Sequence, residues 1–179
     1  ELATDYKNNP HEYTRHKGPF IEKVLSEARE YFENRPLSKN VLIRDLTLDD
    51  LEDYQYWNHP ARKFHEFNGP YFKKATHEEL EEKVNTYRKL LNEGHSKVMS
   101  KNKIIADYNT NKIIGQVNWY WKSVETNWLE VGIVIFNEDF WGQGIGCTAL
   151  RLWINQMFQL HPQIIRIGLT TWSGNPRMM

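Results

Sequence analysis

One stretch decides the fold, residues 128–152, which reads WLEVGIVIF (128–136), NEDFWGQGIG (137–146) and CTALRL (147–152). Its first part is rich in β-branched and aromatic residues, as a buried strand prefers. Its middle part carries Gly142, Gly144 and Gly146, which let the backbone come close to a ligand. Its last part begins a helical pattern of apolar residues. The stretch therefore predicts a strand, a glycine-rich loop and a helix.

A glycine loop that opens a helix is suited to a phosphate group, because it offers unpaired N–H groups and a positive dipole end. Residues 144–149, GIGCTA, match the loose dinucleotide pattern. That pattern normally opens a domain, follows its strand directly and needs an acidic residue about 20 positions on. Here residues 137–141 intervene after the strand, and no Asp or Glu follows Gly144. These departures disfavour dinucleotide binding. A P-loop is excluded because no Gly-Lys-Ser/Thr sequence follows.

The rest of the chain predicts an α/β (α+β) fold. We expect a mixed, mostly antiparallel central sheet with helices on both faces. Capping signals place one helix between Thr47 and Pro60 and another between Thr76 and Gly94. A third helix, over 145–160, crosses between parallel strands. The predicted strands are 41–46, 103–108, 113–121, 128–136 and 164–171.

The chain divides into an N-terminal extension, residues 1–36, and a main domain, residues 37–179. Between Pro19 and Pro36, apolar residues recur at helical spacing and predict an amphipathic helix. That helix either docks on the core or forms a partner or homodimer interface. The chain stops just as residues 175–177 begin another helix, so we expect a further C-terminal segment. The apolar stripe comprises Phe20, Ile21, Val24, Leu25, Ala28, Tyr31 and Phe32.

Composition excludes several functional classes. Lys plus Arg and Asp plus Glu both number 23, and this balance gives no support to a nucleic-acid or membrane-surface binder. No apolar run approaches the ~20 residues of a membrane helix, and no signal peptide begins the sequence. The single cysteine, Cys147, excludes an internal disulfide and a multi-cysteine metal site. His59 and His65 lack a supporting carboxylate or thiol at helical spacing, so we expect no metal. The single cysteine permits a reducing compartment, and we expect a cytoplasmic location.

Residues 58–75 are predicted to be irregular and are dense in aromatic and histidine side chains. Two interpretations stay open for this loop. It lines a pocket, or it is a surface loop packed by its own rings.

Residues 141–146, WGQGIG, resemble the pyrophosphate loop of the GNAT superfamily of acyl-CoA-dependent N-acetyltransferases, whose pattern is Arg/Gln-x-x-Gly-x-Gly/Ala. Residues 130–135 and 169–175 look like the fourth and fifth strands of that family. The resemblance covers about 41–179 and is strongest to the Rim-like branch of ribosomal-protein N-terminal acetyltransferases. Trp141 departs from the Arg or Gln of the pattern, but backbone N–H groups hold the phosphate, so the departure changes little.

The resemblance implies direct transfer of an acetyl group from acetyl-CoA to a primary amine, with coenzyme A as product. The acceptor would be a protein N-terminus, a polyamine or an aminoglycoside-like amine. In the family the pantetheine pairs with a strand that splays from its neighbour. The residues implied in cofactor binding are Val134, Ile135, Phe136, Trp141, Gly142, Gln143, Gly144, Ile145, Gly146, Cys147 and Asn175.

Glu130 is the candidate general base, because the attacking amine must lose a proton and this carboxylate matches the glutamate base of histone-acetylating family members. A backbone N–H on the same strand would stabilise the developing oxyanion. Ser173 is the candidate donor of a proton to the departing thiolate, and solvent is the alternative. Cys147 as a nucleophile is disfavoured, since the family transfers directly and no His lies near it in sequence. The tyrosine acid of many members has no counterpart in this chain.

Two further alternatives stay open. A non-catalytic acyl-CoA-binding module would show the same loop motif as an enzyme. A cationic acceptor would favour an acidic mouth, and Glu52, Asp53 or Glu66 are placed to supply it.

Overall fold

The computed structural model describes residues 41–176 and 178, together with Pro19, Glu22, Lys23, Ser26, Glu27 and Glu30. The chain forms two compact units, residues 1–36 and residues 37–179. In the first unit the six described residues are helical and exposed, and Lys23 lies 3.8 Å from Glu27. The apolar stripe predicted for this helix lies outside the described residues.

The second unit is built on a five-stranded sheet with strands in sequence order. Its first four strands are antiparallel neighbours, as short connections between them require. The fifth pairs with the fourth in parallel, since a helix crosses over between them. The strands are β1 (Val41–Arg44), β2 (Asn102–Asp107), β3 (Ile113–Ser123), β4 (Trp128–Ile135) and β5 (Arg166–Gly168).

In the described part of this unit, three α-helices cover the sheet: α1 (Leu51–Asn58), α2 (His77–Asn92) and α3 (Ile145–Leu160). Alternation along the strands sends neighbouring side chains to opposite faces. In β2, Ile105 packs in a cluster with Trp153 and Met157 of α3. Its neighbours Ile104 and Ala106 pack in a second cluster with Tyr54 of α1 and with α2. The predicted mixed sheet with helices on both faces is confirmed.

The local helix signals also fold as predicted. Thr76 accepts a hydrogen bond from the backbone N–H of Glu79, and the Glu79 carboxylate accepts one from the N–H of Thr76. Gly94 ends this helix with a φ of 88°, a left-handed conformation that glycine adopts without steric cost. At Thr47 a 3₁₀ turn, Leu48–Asp50, precedes α1. α1 ends at Asn58, just before His59 and Pro60.

The last strand is much shorter than the predicted 164–171. Only Arg166–Gly168 pairs with β4, and Ile165 is 78% exposed, whereas the prediction made the whole run a buried strand. The physical reason is the position of this segment at the sheet edge, where one side has no strand neighbour among the described residues. After Gly168 the chain leaves β4, and this departure creates the candidate site.

Candidate active site

β4 and the segment that follows β5 diverge and leave a gap between them. Their pairing ends at Glu130 and Gly168. Beyond that point, residues 132–134 of β4 and residues 169–172 line opposite sides of a cavity of 310 Å³. Divergence of adjacent strands leaves backbone N–H and C=O groups of β4 without a ladder partner, and an extended ligand can pair with such groups.

The direction of the backbone groups along β4 follows from one hydrogen bond. Phe136 donates its N–H to Ile114 O at 2.9 Å, toward β3. Because successive residues of a strand point their backbone groups to opposite sides, the N–H groups of Ile135 and Ile133 face the gap. The Ile135 carbonyl accepts from the Trp141 indole at 2.9 Å. Of the three strand residues expected at the cofactor, Phe136 is turned away and buried, while Val134 lines the cavity.

The glycine loop ends at the N-terminus of α3. Gly142 and Gly144 have φ of 76° and 80°, and open space surrounds both positions. The first three N–H groups of a helix have no acceptor inside it, and here these belong to Ile145, Gly146 and Cys147. Thr148 makes the first bond, to Gly144 O at 3.0 Å. No acidic side chain occupies the first turn of α3, so the site is suited to an anion.

Glu130 is a buried carboxylate, only 4% exposed, on the side of β4 that faces the cavity. The Tyr120 hydroxyl donates to its Oε2 at 2.7 Å. The Thr170 hydroxyl lies 3.0 Å and 2.9 Å from its two oxygens. Thr170 also lines the cavity, so its hydroxyl links the buried carboxylate to that space. The carboxylate is therefore desolvated and within reach of a ligand through one hydroxyl.

Tyr120 stays a hydrogen-bond donor over a wide pH range. Its hydrogen bond to Glu130, together with desolvation and the charges of Glu130 and Tyr71, raises the pKa of the Tyr120 phenol above its usual value. The phenol is 44% exposed, whereas the carboxylate that it touches is buried. Tyr120 thus covers Glu130 on the solvent side.

The aromatic loop, residues 58–75, lines the same cavity. This favours the interpretation that the loop lines a pocket over that of a self-packed surface loop. Phe64, His65, Phe67 and Tyr71 are among its lining residues. The Trp172 indole donates to Phe67 O at 2.8 Å and ties this loop to the segment after β5. Burial lowers the pKa of His65, with nearby Lys74 and His59 acting in the same direction against its backbone hydrogen bonds. His65 is therefore neutral at pH 7.

Other predicted residues are dispersed. Asn175 lines the cavity, but Ser173 is exposed in a turn and does not. Cys147 is partly buried at the start of α3. Glu52, Asp53 and Glu66, expected as an acidic mouth, are not lining residues.

Thr170 and three side chains of β3 belong to the site but escaped prediction from the sequence. Asn118 and Gln116 of β3 lie opposite Gly132 and Val134 and line the cavity, and Tyr120 lies opposite Glu130. Their alternate spacing in β3 was the available signal, since residues two apart share a face of the sheet.

Neither a metal site nor a membrane-spanning helix is present among the described residues. They include no cluster of three or more His, Cys, Asp or Glu residues that could hold a metal ion. None of their helices combines the length and the apolar character that crossing a membrane requires.

Solved structures share this fold at low sequence identity. Ribosomal-protein-S5-alanine acetyltransferase from Vibrio fischeri is 19% identical, with a TM-score of 0.56 over 78% of this chain and 75% of that one. Spermidine N-acetyltransferase from Vibrio cholerae, in complex with CoA and spermine, is 21% identical, with a TM-score of 0.54 over 79% and 76%. Aminoglycoside acetyltransferase AAC(6')-Ib, in complex with coenzyme A, is 14% identical, with a TM-score of 0.53 over 77% and 78%.

No curated protein sequence matches the chain significantly. The model of the acetyltransferase (GNAT) domain, in contrast, matches residues 40–179, which is most of the chain. This match includes the glycine loop, the diverging strands and Glu130. The chain therefore belongs to the GNAT acetyltransferase family.

Proposed function

We propose that this protein is an enzyme that transfers an acetyl group from acetyl-CoA to a primary amine. The observation that carries the proposal is the alignment of three features along one strand. β4 holds Glu130 near its start, exposes unpaired N–H groups along its middle, and leads into the glycine loop at its end. Family membership and the coenzyme A present in two similar structures support the choice of donor.

The residues present fit coenzyme A. The free N–H groups of Ile145, Gly146 and Cys147 and the positive end of α3 suit its pyrophosphate. The N–H groups of Ile133 and Ile135 and the amide of Asn175 would hold its extended arm, and Ile133 and Asn175 line the cavity. When bound, acetyl-CoA supplies an acyl thioester that a neutral amine can attack.

Glu130 takes the proton that the amine must lose. A carboxylate that lies one hydroxyl away from the cavity can act as the general base for an amine bound there. We assign Thr170 to the route, since its hydroxyl lines the cavity and contacts both carboxylate oxygens. The hydroxyl can take a proton from the cavity side while giving its own to Glu130, so its net charge does not change. For the departing thiolate we favour a proton from solvent over one from Ser173, which is exposed and does not line the cavity.

A panel of amines tests this function. The protein is incubated with acetyl-CoA and one amine at a time, and free thiol is measured beside the mass of the amine. We expect thiol release that depends on the amine, matched by a gain of one acetyl group. Tight binding of coenzyme A without amine-dependent release would contradict transfer and favour a non-catalytic acyl-CoA-binding module.

A further inference from the structure

The wall of the cavity is electrically neutral in the part of the chain that the structure describes. Its lining includes no Asp, Glu, Lys or Arg side chain. The three acidic residues that might have formed a mouth, Glu52, Asp53 and Glu66, are absent from it. Its one histidine, His65, is held neutral at pH 7 by its lowered pKa. An acceptor bound in this cavity beside the arm of coenzyme A is within reach of one carboxylate among the described residues, Glu130, behind the Thr170 hydroxyl.

The wall offers instead aromatic faces and amide groups. Phe67, Tyr71, Phe72 and Trp172 supply the rings. Aromatic faces can attract an ammonium group and can also pack an apolar group. Gln116 lines the cavity too, and its Oε1 is buried without a hydrogen-bond partner among the described residues. A buried acceptor of this kind favours a ligand that brings an N–H or O–H donor.

From this wall we propose that the acceptor is a monoamine with an uncharged body that carries an apolar group and a hydrogen-bond donor. The inference rests on the proposed function and specifies its acceptor. The reacting ammonium gives its proton toward Glu130, whereas a second ammonium in the cavity would have no carboxylate to pair with. An unpaired cation removed from water is strongly disfavoured. The cavity therefore selects against polyamines and aminoglycosides.

Calorimetry on the protein saturated with coenzyme A tests this selection without requiring transfer. The probes are 2-phenylethylamine, phenylalanyl-glycine amide and spermidine. They represent a simple monoamine, a peptide whose N-terminus is its single ionisable group, and a polycation. We expect at least one monoamine to bind about tenfold more tightly than spermidine. Spermidine would bring a further ammonium that has no carboxylate partner in the cavity. The Kd of that monoamine should change less than about twofold between 50 and 500 mM NaCl, since one charge is involved.

Tighter binding of spermidine, or binding of neither monoamine, would overturn the inference. Transfer is then measured with the same probes. A monoamine that binds but is not acetylated would support the neutral cavity and count against the proposed activity. Acetylation of spermidine in preference to both monoamines would leave the activity standing and overturn the inference.

A charge placed in the wall gives a second test. Asn68 lines the cavity at an exposed position, so Asn68→Asp adds one carboxylate there with little change in shape. The control Asn109→Asp adds the same charge in the exposed turn between β2 and β3. We expect Asn68→Asp to strengthen spermidine binding about fivefold and Asn109→Asp to leave it unchanged. Equal effects of the two variants would contradict a selection made by the cavity wall.

Discussion

Two buried carboxylates of this chain have different partners, and the difference indicates different roles. Asp50 forms a two-pronged ion pair with the Arg44 guanidinium, at 2.5 Å and 2.8 Å. Glu130 has hydroxyl donors, Tyr120 and Thr170, and no ion pair with a described Lys, Arg or His side chain. Burying a carboxylate without a cationic partner costs free energy. The stability of the fold therefore does not explain the burial of Glu130. We therefore assign Asp50 to stability and Glu130 to chemistry.

Removal of the Thr170 hydroxyl should slow transfer. Thr170→Val keeps the shape of the side chain but breaks its contacts with Glu130, and we expect kcat to fall about tenfold with little change in the KM for acetyl-CoA. Thr170→Ser should restore kcat to within about threefold, because the hydroxyl returns. Steady-state kinetics of both variants measures this. Equal kcat for the valine and serine variants would show that the hydroxyl has no role.

The Asp50 ion pair should contribute stability in a pH-dependent way. Burial raises the pKa of Asp50, but the hydrogen bonds from Arg44 and Thr47 and the charge of Arg44 outweigh burial and hold it below the usual 3.8. Asp50→Asn should lower the unfolding free energy by about 3 kcal/mol at pH 7, since it leaves the half-buried Arg44 guanidinium without its counter-charge.

The sign of this pH dependence follows from the lowered pKa. The contribution of Asp50 is complete above the unfolded pKa of about 3.8 and is lost as the pH falls through the native value. Urea unfolding at pH 7 and pH 3 should therefore show a smaller difference between variant and wild type at pH 3. Asp49→Asn is the matched control, because Asp49 is exposed in the same turn. A constant difference at both pH values would contradict the assignment.

At the scale of elements, the start of α3 depends on the left-handed conformation of Gly144, with a φ of 80°. Gly144→Ala should lower the stability by about 1 kcal/mol and weaken coenzyme A binding about tenfold, because strain displaces the N–H groups of the loop. Gly94→Ala is a matched control, since Gly94 has a φ of 88° in equally open space at the end of α2. The Gly94→Ala variant should lose about the same unfolding free energy but keep its affinity for coenzyme A, which calorimetry measures. Equal affinity loss in both variants would contradict a local role for the loop.

Elements with local signals could be predicted from the sequence, and elements set by distant contacts could not. The capping box at Thr76 and the left-handed Gly94 depend on neighbours within a few residues, so their bounds were predictable. The end of β5 depends on its divergence from β4, whose residues lie about forty positions earlier. The sequence of an apolar run such as 164–171 does not predict where its pairing with the neighbouring strand ends. The polar face of β3 was readable by alternation, but only pairing with β4 places Tyr120 opposite Glu130.

At the scale of the whole molecule, one buried tyrosine predicts sensitivity to alkali. Tyr54 is 1% exposed, and burial raises its pKa from 10.0 to about 12. The raised pKa stabilises the fold fully below pH 10, and this stabilisation is lost as the pH rises toward 12. The unfolding free energy should fall by about 2 kcal/mol between pH 9 and pH 12 from this group.

Urea unfolding at the two pH values measures that loss. Tyr54→Phe should lose the part of the dependence that this group supplies, about 2 kcal/mol, while Tyr56→Phe, at a position 53% exposed, should keep it. Identical pH profiles for the two variants would show that burial of Tyr54 does not set the alkaline limit.

The candidate site shows the same division between local and distant information. The glycine loop and Glu130 lie within one stretch of sequence, and that stretch could be interpreted without a structure. The neutral wall could not be predicted, because it is assembled from the aromatic loop, β3, β4 and the segment after β5. The bond from Trp172 to Phe67 joins residues 105 positions apart. No sequence pattern indicated that Glu52, Asp53 and Glu66 would lie outside the cavity.

The rate of acetyl transfer by Glu130→Gln tests the central claim most directly. The variant keeps the size of the side chain and removes its capacity to take a proton, and Glu125→Gln in the exposed turn between β3 and β4 is the control. With an accepted amine, kcat for Glu130→Gln should fall by about 10²–10⁴-fold while coenzyme A affinity is unchanged and the control stays near wild type. A loss of only a few-fold, with the fold intact, would contradict Glu130 as the base at the centre of this cleft.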